Sequence, residues 1–164
     1  MLFQNYVRSF LKPLSFYLFH PLNAWKKESD FVTKQGLTIL CKFENQIERE
    51  IITSGVWEKK ETEVICQLVR QGDLCLDIGA NVGYYSLLMA KLGASVIAFE
   101  PTDYAFERLY LNLSRNWRLT SRIYPLKLAL SDKNGFINEP IEARFSRRLP
   151  AYQKDDCRAV ETVI

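Results

Sequence analysis

The stretch LCLDIGANVGYYSLL, residues 74–88, constrains this chain more than any other. LCLDI is short, apolar and bounded by turn residues, which predicts a buried β-strand. Asp77 stands at the end of that run, glycines follow at 79 and 83, and Asn81 lies between them. YYSLLMAKL at 84–92 is apolar nearly all round and predicts a buried helix, closed by Gly93. In an open α/β sheet, ligands bind outside the carboxyl ends of the strands, and this turn lies at such an end. Three uses are open for it: a dinucleotide pyrophosphate, a sulfonium cofactor, or no ligand at all.

The flanking pattern extends the unit. SVIAFE at 95–100 predicts a second buried strand, followed by Pro101. Phe106, Leu109, Tyr110, Leu113 and Trp117 fall at helical spacing, with Thr102 or Asp103 as the cap. IYPLKLAL predicts a third strand within 123–130, before the turn SDKNG. Upstream, KETEVICQLVR at 60–70 sets Val64, Ile65, Leu68 and Val69 on one helical face. Its early Glu61 and Glu63 and late Arg70 suit the helix dipole, and Gly72 is placed to end it. LTILCKFE at 37–44 alternates and predicts a strand; FINEPIEARF reads as an extended excursion, and CRAVETVI as the start of another strand. Strand, helix, strand, helix, strand at this spacing predicts an α/β fold, parallel-sheeted and right-handed in its crossovers.

Composition sets the limits. The chain has 164 residues, the size of one domain, with 48% hydrophobic and 25% charged residues, so a packed core is expected. The expected organisation is an N-terminal arm with a small α/β lead-in over 1–54, then a Rossmann-like domain over 55–164. A net charge of +3 is too small to argue for nucleic acid, and no such partner is expected. Arg144, Arg147 and Arg148 read as a solvated loop. The four cysteines, at 41, 66, 75 and 157, form no C-x-x-C pair, so no metal site is expected. Cys66 and Cys75 read as buried small hydrophobes, which suggests reduced thiols and a cytoplasmic setting. In the first two dozen residues Phe3, Val7, Phe10, Leu14 and Leu18 recur near helical spacing, but Pro13 interrupts the pattern. That run is too short to span a membrane and carries no secretory cleavage site. It reads as a packing arm, or as a weak membrane-surface contact with Arg8 and Lys12 on the polar side.

The turn's own residues narrow its use. A dinucleotide fingerprint starting at Gly79 requires glycines where this chain has Asn81 and Tyr84. The close backbone approach of a pyrophosphate is therefore disfavoured. Glu100 closes the second strand, near the interval of roughly 20 residues expected for an acid that bonds ribose hydroxyls. Its carboxylate can accept from both the 2′- and 3′-hydroxyls, and Asp77 can pair with an ammonium group. Ribose, ammonium and carboxylate together describe S-adenosyl-L-methionine. Taken singly, Asp77 as a turn cap and Glu100 as an exposed strand end remain open.

These residues, with the blocks around them, resemble the FkbM family of S-adenosylmethionine-dependent methyltransferases. D-I-G-A-N-V-G at 77–83, F-E-P at 99–101 and L-A-L-S-D at 128–132 stand in the family's order and near its spacing. The resemblance covers residues 55–135, about half the chain. It implies a Rossmann-like (class I) fold and O-methylation of a hydroxyl on a sugar, glycan or small metabolite. It implies that Asp77, Gly79, Ala80, Asn81 and Gly83 line the methionine end and that Glu100 holds the ribose. Pro101 and Thr102 would shape the adenosine side, and Ser131 or Asp132 would lie near adenine. Tyr84 and Tyr85 face either the cofactor and substrate or the core.

No general base emerges: His20 is the only histidine and precedes Pro21, and Asp155 and Asp156 read as exposed. Family members continue with a further strand bearing an acidic block, whereas this chain stops at ETVI. A truncated product, a fragment, or a partner that completes the fold each account for that. A short sheet would leave an apolar edge open to self-association. Two further function classes stay in view, a cofactor-binding module without an acceptor site and, weakened by Asn81 and Tyr84, a nicotinamide oxidoreductase.

Overall fold

The computed structural model describes residues 28–131, 135–137 and 160–163. The N-terminal arm with His20, the arginines Arg144, Arg147 and Arg148, and the acids Asp132, Asp155 and Asp156 lie outside the described residues, as does Cys157. The chain divides into two compact units, Met1–Lys59 and Lys60–Ile164.

In the first unit β1 (Ser29–Val32) pairs antiparallel with β2 (Thr38–Cys41), Ser29 opposite Cys41 and Val32 opposite Thr38. The Thr33 hydroxyl accepts from the Leu37 amide at 3.1 Å and closes the turn. Helix α1 (Gln46–Ser54) starts at Asn45, whose side chain accepts from the amides of Ile47 and Glu48. Glu48 is wholly buried and accepts from the Lys42 amide at 2.6 Å, which ties the helix to the strand end. Leu37, Ile39 and Ile51 make the core between them. The strand expected over 37–44 therefore stops at Cys41, where the chain turns into the cap. Asn45 followed by Glu48 was a readable helix start.

In the second unit β3 (Leu74–Ile78), β4 (Ser95–Phe99) and β5 (Ile123–Leu126) form a parallel sheet in that order. Leu74 stands opposite Ser95, and Val96 opposite Ile123. Helix α2 (Lys59–Leu68) leads into β3, α3 (Tyr84–Lys91) joins β3 to β4, and α4 (Asp103–Arg115) follows β4. The βαβαβ order matches the expectation, as does α3, which buries Tyr84 and every residue from Ser86 to Ala90. Val96, Ala98 and Ile123 complete this side of the core. Pro125 is tolerated because β5 is an edge strand among the described residues.

Several expected details are corrected. LCLDI is not buried on both faces: Leu74, Leu76 and Ile78 are 68%, 55% and 64% exposed. Side chains alternate across a strand, and only the face carrying Cys75 and Asp77 is covered. β3 is also an edge of its sheet, so the apolar edge expected from the sequence is present among the described residues. Helix α2 buries Thr62, while Val64 and Leu68 are exposed. Cys66 is accordingly exposed and Cys75 half-buried, against the expectation of two buried thiols. On α4 the buried face is Ala105, Arg108, Leu109, Asn112 and Leu113, turned away from Tyr110. The helix ends at Arg115, so Trp117 opens a 3-10 turn (Trp117–Arg122) and is exposed. The strand expected over 123–130 splits, because Lys127 and Leu128 leave the sheet. β6 (Ala129–Leu130) joins a second sheet, parallel to β8 (Val160–Val163), which pairs antiparallel with β7 (Gly135–Ile137). CRAVETVI does contain a strand, β8. Among the described residues no helix is long and apolar enough to cross a membrane.

Candidate cofactor site

Strand β3 delivers Asp77 to the start of α3. Gly83, the residue before that helix, has no side chain to cap it. Asp77 takes the cap's place: its Oδ2 accepts from the Ser86 hydroxyl at 2.5 Å, and its carboxylate also accepts the Ser86 backbone amide. An anion at a helix N-terminus meets the positive end of the dipole and an orphan donor together. Ser86 is the one polar residue in the apolar stretch of α3 before Lys91, and that exception was the signal from which it could have been found.

Asp77 is 9% exposed. Burial pushes its carboxyl above the ordinary value, the Ser86 hydroxyl and amide pull it back, and the Glu100 charge pushes it up again. A raised folded-state pKa favours the protonated acid. The stability it contributes is complete below the unfolded pKa of about 4 and is lost as pH rises through the folded value. Asp77→Asn keeps the acceptor for Ser86 without the buried charge. Its melting temperature is expected to gain on the wild type as pH is raised from 4 to 7. A gap that stays constant across that range would contradict the burial account.

The turn between β3 and α3 is held from β4. The amides of Gly79 and Ala80 donate to the Phe99 carbonyl at 2.8 and 2.9 Å. The Asn81 amide donates to Glu100 Oε2 at 2.8 Å. Gly79, Asn81 and Gly83 have φ of 81°, 48° and 82°, a left-handed region that suits glycine and, among side-chain residues, asparagine. Glu100 is 5% exposed, not the open strand end that the sequence left in view. Its Oε1 accepts from the Thr102 amide at 2.9 Å and from the Thr102 hydroxyl at 2.7 Å. Thr102 is the residue before α4, yet its hydroxyl goes to Glu100 and makes no cap bond.

The acid at the end of β4 and the turn after β3 are thus joined by a hydrogen bond. A carboxylate has about four acceptor positions. Three are filled, by Asn81 and twice by Thr102. One position is left for a further donor, whereas the sequence reading gave Glu100 two ribose hydroxyls; a second would require the Thr102 hydroxyl to turn away. A Cβ built on Gly79 would meet nothing within 4 Å, so the space beside this glycine is open. Open space beside Gly79, a buried carboxylate with an acceptor position left and an acid beside the helix start are compatible with S-adenosylmethionine.

The other predicted residues divide. Pro101 is half-buried beside Glu100. Ser131 is exposed and follows β6, in the second sheet. Asp132, its alternative, is outside the described residues. Tyr84 belongs to the core: it is 2% exposed, with its hydroxyl 3.5 Å from Thr62 Oγ1 and its ring edge-on to Tyr85. Asn112 was missed by the sequence reading. It is wholly buried on α4 and donates through Nδ2 to the Val82 carbonyl at 2.8 Å.

Neither a scan of protein-family models nor a search of curated proteins finds a match. Solved structures do match. TYW2 from P. horikoshii in complex with MeSAdo is 23% identical, with a TM-score of 0.51, over 66% of this chain and 39% of that one. The complex of aTrm5 and tRNALeu is 16% identical, with a TM-score of 0.50, over 65% of this chain and 33% of that one. The M. jannaschii tRNA m1G37 methyltransferase is 16% identical, with a TM-score of 0.49, over 67% and 36%. The fold is the Rossmann-like α/β fold of class I methyltransferases. The chain spans well under half the length of these structures.

One expectation falls here. Nucleic acid had been set aside on the strength of a small net charge, yet this fold occurs in a complex with tRNALeu. Net charge is a sum over the chain and does not report how basic residues are distributed, so it excludes no such partner.

Proposed function

We propose that this chain binds S-adenosylmethionine at the β3–α3 turn and serves methyl transfer in an enzyme of FkbM type. The observation that carries the reading is the bond from the Asn81 amide to Glu100, which joins turn and strand-end acid in one site. Glu100 holds the ribose. Asp77, Gly79, Ala80, Asn81 and Gly83 shape the methionine end, and Pro101 and Thr102 flank the adenosine side. When bound, the cofactor supplies a methyl carbon already activated by its sulfonium. The chain's contribution is alignment, since holding donor and acceptor at near-attack distance lowers the entropic part of the barrier.

The acceptor we propose is a hydroxyl of a sugar, glycan or small metabolite, following the FkbM-like blocks at 77–83, 99–101 and 128–132. Transfer of labelled methyl from S-adenosylmethionine to a panel of glycans, small alcohols and tRNA tests this. Label on the hydroxyl compounds is expected; label on tRNA alone would replace that acceptor class. A second reading, a cofactor-binding module without its own acceptor site, is favoured by the open side of β3, where Leu74, Leu76 and Ile78 are exposed. Cofactor binding without transfer to any acceptor in the panel would select it.

A further inference from the structure

Helix α4 braces the cofactor turn from behind. Leu109 and Asn112, three residues apart and so on one helical face, are both wholly buried there. A Cβ added to Gly83 would stand 2.3 Å from Leu109 Cδ1, so the turn lies directly against this face. Asn112 reaches the turn with a donor, to the Val82 carbonyl at 2.8 Å. The amide of that same peptide unit, on Gly83, donates to the Ala80 carbonyl at 2.8 Å. The Val82–Gly83 peptide is therefore fixed at both of its polar atoms.

Such fixing has work to do. Gly79 and Gly83 reach positive φ freely, but two such glycines leave the turn with many alternative shapes, so surrounding bonds must select this one, with Asn81 also held left-handed at φ 48°. Phe99 and Glu100 hold its first half from β4. The second half, nearer α3, is held from α4. Asparagine is a poor residue for a helix interior, and packing alone would be served by leucine.

We infer that Asn112 is a positioning residue for the methionine end of the cofactor, acting through the Val82 carbonyl. The inference rests on the cofactor reading above. Glu100 meets the turn through the Asn81 amide but is also anchored twice by Thr102, which loss of the Val82 bond leaves in place. Loss of Asn112 is thus expected to weaken ligands that reach the turn more than ligands that reach only the ribose side.

The test compares S-adenosylmethionine with 5′-methylthioadenosine, which has the ribose and base but no amino-acid portion. Both are titrated into the full chain, wild type and Asn112→Leu, at a temperature where each is folded. Removing the bond is expected to weaken S-adenosylmethionine about tenfold, and 5′-methylthioadenosine less than about threefold. A purely structural role moves both affinities together, or neither, and that result overturns the assignment. Should Asn112→Leu not fold, Asn112→Ser, too short to reach the carbonyl, carries the same comparison. Wild-type protein that binds neither ligand sinks the cofactor reading and this assignment with it. Wild-type binding of both, with the ratio unchanged in the variant, sinks the assignment alone.

Discussion

Gly83→Ala is expected to destabilise the chain by roughly 2–5 kcal/mol. A left-handed residue with a Cβ costs about 1–2 kcal/mol, and forcing a methyl into a packed site typically costs about 1–3 more. Both apply here, since φ is 82° and the new methyl would meet wholly buried Leu109. Gly79→Ala is the control. Its φ is 81°, but its Cβ would meet nothing within 4 Å, so about 1–2 kcal/mol is expected from the backbone alone. Urea titrations followed by circular dichroism give both values, through the midpoint at constant slope. Equal losses at the two glycines would contradict the close approach of α4 to the turn.

Glu100→Ala is expected to weaken S-adenosylmethionine binding by about 1–3 kcal/mol, the range for losing a charged hydrogen-bond acceptor. It also leaves the amides of Asn81 and Thr102 without the acceptor they use now. A stability loss of about 1–3 kcal/mol therefore accompanies the loss of affinity. Glu100→Gln preserves shape and one acceptor oxygen and is expected to fall between wild type and alanine on both scales. Calorimetry with each variant gives the affinities and thermal unfolding gives the stabilities. An alanine variant that binds as tightly as wild type would remove Glu100 from the ribose.

The sequence revealed the site's frame because local rules control it. The switch from an apolar strand to a glycine turn to an apolar helix required no knowledge of distant contacts. Glu100 was singled out by its interval from Asp77, and the structure joins it to the turn through the Asn81 amide. What escaped depends on which face of an element another element covers. Asp77 was left open between a ligand's ammonium group and a cap for the turn, and its bonds to Ser86 became visible only once α3 was seen to start beneath it. Asn112 was passed over because apolar periodicity alone placed the face of α4, which directed attention to Tyr110 and Trp117. Both of those are exposed, at 51% and 66%. The buried face of that helix carries Arg108 and Asn112, polar residues that a hydrophobic pattern discards. The same limit governs Leu74, Leu76 and Ile78, since an apolar strand reads the same whether one of its faces is covered or both are. The Thr102 hydroxyl, offered to the helix as a cap by the sequence, instead fills an acceptor position on Glu100, a choice set by tertiary geometry.

Calorimetric titration of the full chain with S-adenosylmethionine and, separately, with NAD tests the central claim most directly. Asn81 and Tyr84 stand where a pyrophosphate turn needs glycine, while Glu100 and the open space beside Gly79 suit a ribose-bearing sulfonium. Saturable binding of S-adenosylmethionine with no measurable binding of NAD is the predicted result. Folded protein that binds NAD, or that shows no heat with S-adenosylmethionine, would contradict it.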